Sequence, residues 1–171
     1  YGNGDTVGYT YDNQYRTTGK SYNGQTAFTY VYDAYGNLAR TTDLVNNITY
    51  TYQYDMVGRV TGMDSTQGQS IRIAYDDKNR TDYVVSKVGG SGTKTQYVYG
   101  ETGNGQKAGL IYGVKIDDQN ILSYTYDELA RTSTRTLDLG TDFTTSYEYL
   151  DGNTLGSTTT LVSKMTNGNV S

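Results

Sequence analysis

The sequence predicts an all-β protein of stacked antiparallel β-hairpins, each about 22 residues long, that form one long, curved or spiralling sheet, a partial shell. Three observations predict this fold class. A Tyr-x-Tyr string recurs along the 171 residues. Five of the seven copies continue into a turn that begins with Asp, and two of these five turns have Gly at the fourth position. No stretch sustains the 3.6-residue periodicity of a helix.

Seven copies of the string divide the chain at nearly regular intervals, between 21 and 27 residues from one second aromatic residue to the next. A fixed period of this length is the signature of a repeat array. We therefore predict that residues 1–171 form a single array of about seven copies. The copies begin near Tyr9, Tyr30, Tyr52, Ile73, Tyr97, Tyr124 and Tyr147.

Each copy opens with a strand. Side chains alternate between the two faces of a strand, so Tyr52 and Tyr54 point to the same face. Tyr, Val, Thr and Ile, which dominate these strings, favour strands. The chain has 20 Tyr but 2 Phe and no Trp, so tyrosine rings must supply much of the buried apolar surface. Each buried phenol hydroxyl then needs a hydrogen-bond partner or water.

A turn follows the strand, as in Asp55-Met56-Val57-Gly58, with Asp at the first position and Gly at the fourth. Gly suits the positive φ that such a turn requires. Tyr15 and Ala130 occupy the Gly position in two copies, so we expect those turns to be strained or differently built. Arg or Asn comes next. We expect this Arg to pair with the Asp of a neighbouring copy or to stack on a Tyr ring.

A second strand and a second polar turn close each copy. We place these second turns at Asn23-Gly24, Asn46-Asn47, Gln67-Gly68, Gly89–Gly92, Asp118–Asn120 and Leu139-Gly140. One hairpin is only marginally stable in water, so neighbouring copies must pair sideways. An open twisted sheet of about fourteen strands is expected to curl.

The string Tyr-x-Tyr-Asp-x-x-Gly-[Arg/Asn]-[Leu/Val] resembles the YD repeat of Rhs proteins. The clearest matches run over residues 30–38 and 52–60, and the resemblance loosens after residue 88. The structural motif residues are Tyr30, Tyr32, Asp33, Gly36, Asn37, Tyr52, Tyr54, Asp55, Gly58, Arg59, Tyr75, Asp76, Arg80, Tyr124, Tyr126, Asp127 and Arg131.

In that family the repeats form a β-sheet that spirals into a hollow shell, which in bacterial polymorphic toxins encloses a C-terminal toxin segment. The resemblance implies a structural repeat segment of a large secreted, cell-surface or cell-wall bacterial protein. It also implies two partners, the remaining repeats and the toxin segment of the parent protein. The family's self-cleaving core segment contains Asp-Pro, and this chain has no Pro. We therefore expect that segment to lie outside the chain.

The composition argues against several other functions. Without His, the usual nucleophile–base arrangements are missing. A net charge of −4 argues against nucleic-acid binding and against a basic membrane-surface segment. Residues 117–128 have the acidic ends of a calcium loop, but Leu122 stands where such a loop needs Gly. Residues 103–108 match a relaxed dinucleotide fingerprint, but a following helix is not expected. We expect no enzyme activity, no cofactor and no metal.

Two binding hypotheses remain open. The tyrosine rows could stack on sugar rings, which would make the chain a carbohydrate-binding or adhesion module for cell-wall or host glycans. The absence of Trp weakens this alternative. An isolated array also has two unpaired edge strands, so we expect edge-to-edge self-association.

Overall fold

The computed structural model describes residues 4–103, 105–153 and 157–169, and within these ranges all regular structure is β-strand. The all-β prediction is therefore confirmed. The strands are β1 (Val7–Tyr11), β2 (Thr17–Tyr22), β3 (Gln25–Tyr32), β4 (Leu38–Asp43), β5 (Ile48–Tyr54), β6 (Val60–Ser65), β7 (Gln69–Tyr75), β8 (Thr81–Val88), β9 (Ser91–Tyr99), β10 (Ile111–Ile116), β11 (Gln119–Tyr126), β12 (Thr132–Asp138), β13 (Asp142–Asp151) and β14 (Thr158–Asn169).

The strands follow one another in the sheet in chain order, from β1 to β14, and the sheet is open. Successive strands pair antiparallel, as between β3 and β4 or between β11 and β12. The prediction of sequential hairpins is thus confirmed. By its internal contacts the chain divides into two compact units. One contains Tyr1–Ala74 and Val84–Thr93, and the other contains Tyr75–Tyr83 and Lys94–Ser171. The single array of seven copies stays a prediction.

A β-bulge lies next to the motif turn. Tyr54 at the end of β5 pairs with Val60, whereas Gln53 pairs with Gly62, so Thr61 is an extra residue on β6. The same shift of register occurs at Tyr11, Tyr32 and Tyr126. A bulge bends its strand and increases the local twist. The repetition of this irregularity at one place in the copies makes it part of the repeat.

The fourth residue of the motif turn has a positive φ whether or not it is glycine. The value is 84° at Gly58 and 64° at Asn79. Tyr15 at 59° and Ala130 at 65° adopt the same conformation. These two turns are therefore built like the others and are not differently built. They carry the strain of a non-glycine residue in the left-handed region.

The second turns are tighter than the sequence predicts at two places. Asn23-Gly24 lies where the sequence predicts it and joins β2 to β3 with both residues at positive φ, the conformation of a two-residue type I′ turn. The turn predicted at Asp118–Asn120 is instead Asp117-Asp118, and Gln119 already pairs with Ile116. The predicted Gly89–Gly92 turn ends at Gly90, because β9 begins at Ser91.

The two faces of the sheet differ in chemistry. The motif tyrosines share one face, and the ring centroids of Tyr124 and Tyr126 lie 6.5 Å apart. On the other face hydroxyl groups meet across strands, as between Thr136 and Thr144 at 2.8 Å. This division follows from the period of two, which sends the residue between the tyrosines to the face opposite the rings.

The described residues contain little conventional core. Ala27, 3% exposed, is the buried apolar residue among them, while Tyr30, Tyr32 and Tyr54 are half-buried. These three tyrosine rings therefore contribute apolar burial on their face of the sheet. Among the described residues no helix is long and apolar enough to cross a membrane.

Candidate functional site

The aspartate that opens the motif turn organises it through both carboxylate oxygens. In the third copy, Asp55 Oδ1 accepts N–H groups from Val57 at 3.0 Å and Arg59 at 2.9 Å, and Oδ2 accepts Arg59 Nε at 2.7 Å. The Gly58 N–H donates to the Asp55 carbonyl at 3.1 Å. One side chain therefore closes the turn and fixes the arginine that follows it.

The same bonds recur in other copies. The Arg Nε to Asp Oδ2 distance is 2.7 Å for Arg16 and Asp12, 2.7 Å for Arg80 and Asp76, and 2.6 Å for Arg131 and Asp127. The prediction that this Arg pairs with the Asp of a neighbouring copy is therefore wrong. Each arginine bonds to the aspartate of its own turn, four residues earlier.

Asn37 replaces arginine in the second copy and uses the same acceptor. Its Nδ2 donates to Asp33 Oδ2 at 3.0 Å, while the N–H groups of Asn37 and Tyr35 donate to Oδ1 at 2.8 Å and 2.9 Å. The turn is preserved, with Gly36 at a φ of 91°. The guanidinium, however, is missing from this copy.

These hydrogen bonds keep the turn carboxylates ionised. At Asp55, partial burial opposes the charge, but the hydrogen bonds from Arg59 outweigh it and the pKa lies below its ordinary value of 3.8. At Asp33, the amide of Asn37 is the largest cause of a lowered pKa. Hydrogen bonds to a charged carboxylate stabilise the charged form. Four further aspartates have a lowered pKa: Asp12, Asp43, Asp76 and Asp127.

The second tyrosine of a motif bonds to the preceding hairpin. Tyr54 donates its hydroxyl to the Leu38 carbonyl at 2.9 Å, and Tyr32 donates to the Thr17 carbonyl at 2.9 Å. The acceptor is the residue that follows the Arg or Asn of the previous copy. The same bond occurs from Tyr99 to Thr81, Tyr126 to Ile111 and Tyr149 to Thr132. The hydroxyl partner that composition required is thus a backbone carbonyl.

The arginine of the preceding copy covers the same ring. The guanidinium carbon lies 4.5 Å from the ring centroid for Arg16 over Tyr32 and 4.1 Å for Arg80 over Tyr99. It lies 4.3 Å away for Arg131 over Tyr149. The predicted Arg–Tyr stacking is thus present at these three places. We call the tyrosine hydroxyl bond, together with the covering guanidinium where present, the inter-hairpin clamp.

The fifth copy builds its turn differently. A Cβ on Gly100 would lie 2.4 Å from the Lys107 carbonyl oxygen, so the aspartate usual at this position does not fit. Lys107 instead donates its Nζ to the Glu128 carbonyl at 2.7 Å. Tyr112, at the bulge, contacts the ring of Tyr126 with centroids 5.1 Å apart. Lys107 and Tyr112 therefore supply the contacts of this copy to the following one.

Sequence reasoning missed Glu101 and the bulge residues. Glu101 forms ion pairs with Lys78 and with Arg80, the latter at 3.2 Å. Glu101 lies 21 residues from Arg80 and 23 from Lys78, so no short sequence motif contains the three residues. Only the three-dimensional structure shows that they lie close together. The contact of the bulge residue Tyr112 with Tyr126 could not be predicted either, because it depends on the shift of register between β9 and β10.

A groove of about 770 Å³ lies between the motif turns of the second and third copies. Asn37, Ala39, Tyr52 and Tyr54 line it, together with the carboxylates of both turns. Its rim carries three exposed side chains. They are Tyr35, Met56 and Val57, which are 92%, 104% and 75% exposed.

The remaining motif tyrosines lie within the strands and not in the turns. Tyr30, Tyr52 and Tyr124 lie in the middle or near the end of their strands on the same face as the second tyrosine, and each is half-buried. Tyr75 ends β7 and is half-buried. The motif residues come together in adjacent pairs of copies and do not converge on one centre.

The described residues contain no group of three or more His, Cys, Asp or Glu side chains placed to hold a metal ion. Asp117 and Asp118 form a two-residue turn and β11 follows, so residues 117–128 do not form a loop. Of the relaxed dinucleotide fingerprint at 103–108, Asn104 lies outside the described residues. No helix follows it before β10 begins at Ile111.

Comparison with known proteins finds the likeness in structure and not in sequence. No protein-family model and no curated protein matches the chain. The crystal structure of TcdB2-TccC3-TEV matches with a TM-score of 0.72 at 15% identity, and that of TcdB2-TccC3-Cdc42 matches with 0.70 at 15% identity. Each match covers 95% of this chain and 9% of the other.

The resemblance to YD-repeat proteins is therefore supported at the level of the fold. At 15% identity the likeness shows a shared backbone fold only. The chemistry of the side chains has to be argued from the geometry of this chain. The chain spans about 9% of the length of the matched chains, and it has the fold of a segment of these structures.

Proposed function

We propose that this chain is a structural repeat segment of an Rhs-type YD-repeat protein that is secreted or displayed on a bacterial cell surface. Its role is to form part of a β-shell that encloses or presents a C-terminal toxin segment. Its partners are the remaining repeats and that segment of the parent protein. The chain itself is proposed to carry no catalytic activity.

One observation carries the proposal: the inter-hairpin clamp. Tyr32, Tyr99 and Tyr149 each combine a hydroxyl bond to the preceding hairpin with a guanidinium over the ring. These contacts use the motif residues for cohesion between copies. A side chain whose donor and ring face are both occupied by the chain's own groups is poorly placed to bind a substrate.

The fold likeness supports the same proposal. The matched chains are long, and a segment of this size occupies 9% of them. A repeat segment gains stability from the neighbours on each side, which suits a place within a much larger array.

Limited proteolysis of the parent protein that contains this segment tests the enclosing role. We expect the segment that follows the repeats to resist a protease in the intact protein and to become sensitive when clamp residues such as Tyr54 are changed to Ala. Equal sensitivity before and after disruption of the repeats contradicts enclosure. The structural role itself would survive that result.

The carbohydrate-binding alternative has a separate test on the chain alone. Cell-wall and host polysaccharides are titrated while tyrosine fluorescence is followed. The structural proposal expects no saturable change. Saturable binding would favour a glycan-binding module instead.

A further inference from the structure

The groove between the second and third copies coincides with a gap in the series of inter-hairpin clamps. Tyr54 donates its hydroxyl to the Leu38 carbonyl as other clamp tyrosines do. The residue that should cover its ring is Asn37, whose amide is too short to lie over the ring as Arg16 does over Tyr32. The groove therefore occupies the place where a guanidinium is found in other copies.

A second short side chain enlarges this space. Ala39 is the bulge residue of the second copy, since Leu38 pairs with Tyr32 and Arg40 with Val31. The equivalent residue of the fifth copy is Tyr112, which contacts the next tyrosine ring at 5.1 Å. With alanine at this position, the space beside the Tyr54 ring stays open.

The charges of the groove favour a cation. The Asp33 carboxylate is held by the N–H groups of Tyr35 and Asn37 and by the Asn37 amide, which are all neutral donors. Asp12 and Asp127 each form an ion pair with an arginine at the same step of the motif. Within the described part of the chain, the charge of Asp33 is not compensated in this way.

The chain itself shows which cation fits. Where the motif is complete, a planar guanidinium lies 4.1–4.5 Å over the tyrosine ring and bonds to the turn aspartate. Ring face and carboxylate together suit a flat donor group better than the compact ammonium of lysine. In the second copy the ring face and the carboxylate are both present, the carboxylate accepts the neutral amide of Asn37, and the guanidinium is missing.

We propose that the groove formed by Asp33, Asn37, Ala39, Tyr52 and Tyr54 binds an arginine side chain supplied by another polypeptide segment. The incoming guanidinium lies over the Tyr54 ring and completes the clamp that Asn37 leaves open. The exposed rim residues Tyr35, Met56 and Val57 flank the entry to the groove and offer apolar contact to residues beside that arginine. The site is formed by the second and third copies of the motif and does not depend on the proposed role in a shell.

Titration of the whole chain with N-acetyl-arginine amide tests the proposal, with the tyrosine ring signals followed by NMR. We expect saturable shifts confined to Tyr52 and Tyr54. The citrulline amide has the same shape without the charge, and we expect it to bind at least about tenfold more weakly, since cation–π contact and a charge-assisted hydrogen bond are lost. We expect the lysine amide to bind more weakly as well.

Two variants and one control test whether the added guanidinium binds in this groove. Asn37→Arg fills the groove with the chain's own guanidinium, and we expect it to abolish the shifts. Gln67→Arg adds the same charge at an exposed turn elsewhere, and we expect it to bind as the unchanged chain does. Should Asn37→Arg fail to fold, Asp33→Asn serves instead, and we expect it to weaken binding about tenfold or more.

Several results would overturn the proposal. Equal affinity for the arginine, lysine and citrulline amides would show that the groove does not recognise a guanidinium. Unchanged binding by Asn37→Arg would place the bound group elsewhere. Shifts of Tyr52 and Tyr54 with methyl glucoside but not with the arginine amide would make the groove a sugar site.

Discussion

At the scale of the residue, the carboxylate of one aspartate holds the motif turn together. Asp55 accepts two backbone N–H groups and one arginine, and the aspartates of the two turns without Gly or Asn accept the same set of bonds. This explains how the turn accepts Tyr15 and Ala130 at its fourth position. The bonds to the aspartate hold those residues in a conformation that they would not choose alone.

The strain at Ala130 predicts a stabilising substitution. Relief of the left-handed conformation, about 1–2 kcal/mol, exceeds the added freedom that glycine gives the unfolded chain, about 0.5–1 kcal/mol. We expect Ala130→Gly to raise the free energy of unfolding by about 0.5–1 kcal/mol in urea denaturation. Ala39→Gly, in strand β4, is the matched control and is expected to lower it. A loss of stability in both variants would contradict the account of the turn.

The tyrosine hydroxyl predicts a measurable loss on removal. Tyr54→Phe leaves the Leu38 carbonyl without its side-chain donor, and we expect the free energy of unfolding to fall by about 1 kcal/mol. Tyr35→Phe is the matched control, because Tyr35 is 92% exposed at a turn tip, and we expect its effect to be near zero. Equal effects of the two changes would show that the hydroxyl bond contributes nothing.

At the scale of the element, the arginine of the motif links neighbouring hairpins. The arginine binds its own aspartate within one hairpin and lies over a tyrosine of the next. The aspartate thus positions the guanidinium that reaches the following copy. An isolated hairpin would keep the first contact and lose the second.

A double-mutant cycle measures the contact between two hairpins. We expect Arg16→Met and Tyr32→Leu to show a coupling of about 0.5–1 kcal/mol, the size of a partly exposed cation–π contact. The control cycle combines Arg16 with Tyr22, at the opposite end of β2, and is expected to show no coupling. A coupling near zero for the first pair would mean that the stacked geometry adds no stability.

The turn aspartates predict a loss of stability in acid. Their pKa is lower in the folded chain than the ordinary 3.8, so the unfolded chain binds protons more readily. Their contribution is complete above the unfolded pKa and is lost as the pH falls through the lower folded pKa. We expect the urea midpoint to fall steeply once the pH drops below about 4.

A matched pair of carboxylates within one turn checks this assignment. Asp76→Asn removes a carboxylate that three hydrogen bonds hold, and we expect it to flatten the acid slope. Asp77→Asn changes its exposed neighbour, and we expect the slope to stay as it was. If both variants flatten the slope alike, the effect belongs to total charge and not to the turn.

At the scale of the whole molecule, the strands of the described residues form a sheet that ends in two edges. Strands β1 and β14 each have a neighbour on one side. Unpaired backbone N–H and C=O groups on such strands are templates for pairing with another chain. A repeat segment within a longer array would have these edges covered by further repeats.

The open edges predict self-association of the isolated chain. We expect light scattering to show oligomers that increase with concentration, and Tyr9→Lys together with Val162→Lys to reduce them. Val31→Lys, in the interior strand β3, is the control and is expected to leave association unchanged. A strict monomer at high concentration would contradict the prediction.

Much of the fold could be predicted because its determinants are local. The period of two places Tyr52 and Tyr54 on one face, and Asp55 and Gly58 mark the turn, all within seven residues. The site was less predictable. Asn37 is one of the two residues that the motif allows at its place, and Ala39 lies just beyond the motif, so nothing in the string tells that together they open a groove beside Tyr54.

The sequence by itself determined the strands, the motif turns and the hairpin repeat, because alternation of side chains and turn chemistry act between residues close in the chain. Only the tertiary structure decided that Arg59 binds Asp55 of its own copy, that Tyr54 bonds to the Leu38 carbonyl, and that Glu101 joins Arg80. The last two contacts join different hairpins and depend on the lateral register of neighbouring hairpins. That register arises from the pairing of whole strands, which no short string of residues encodes.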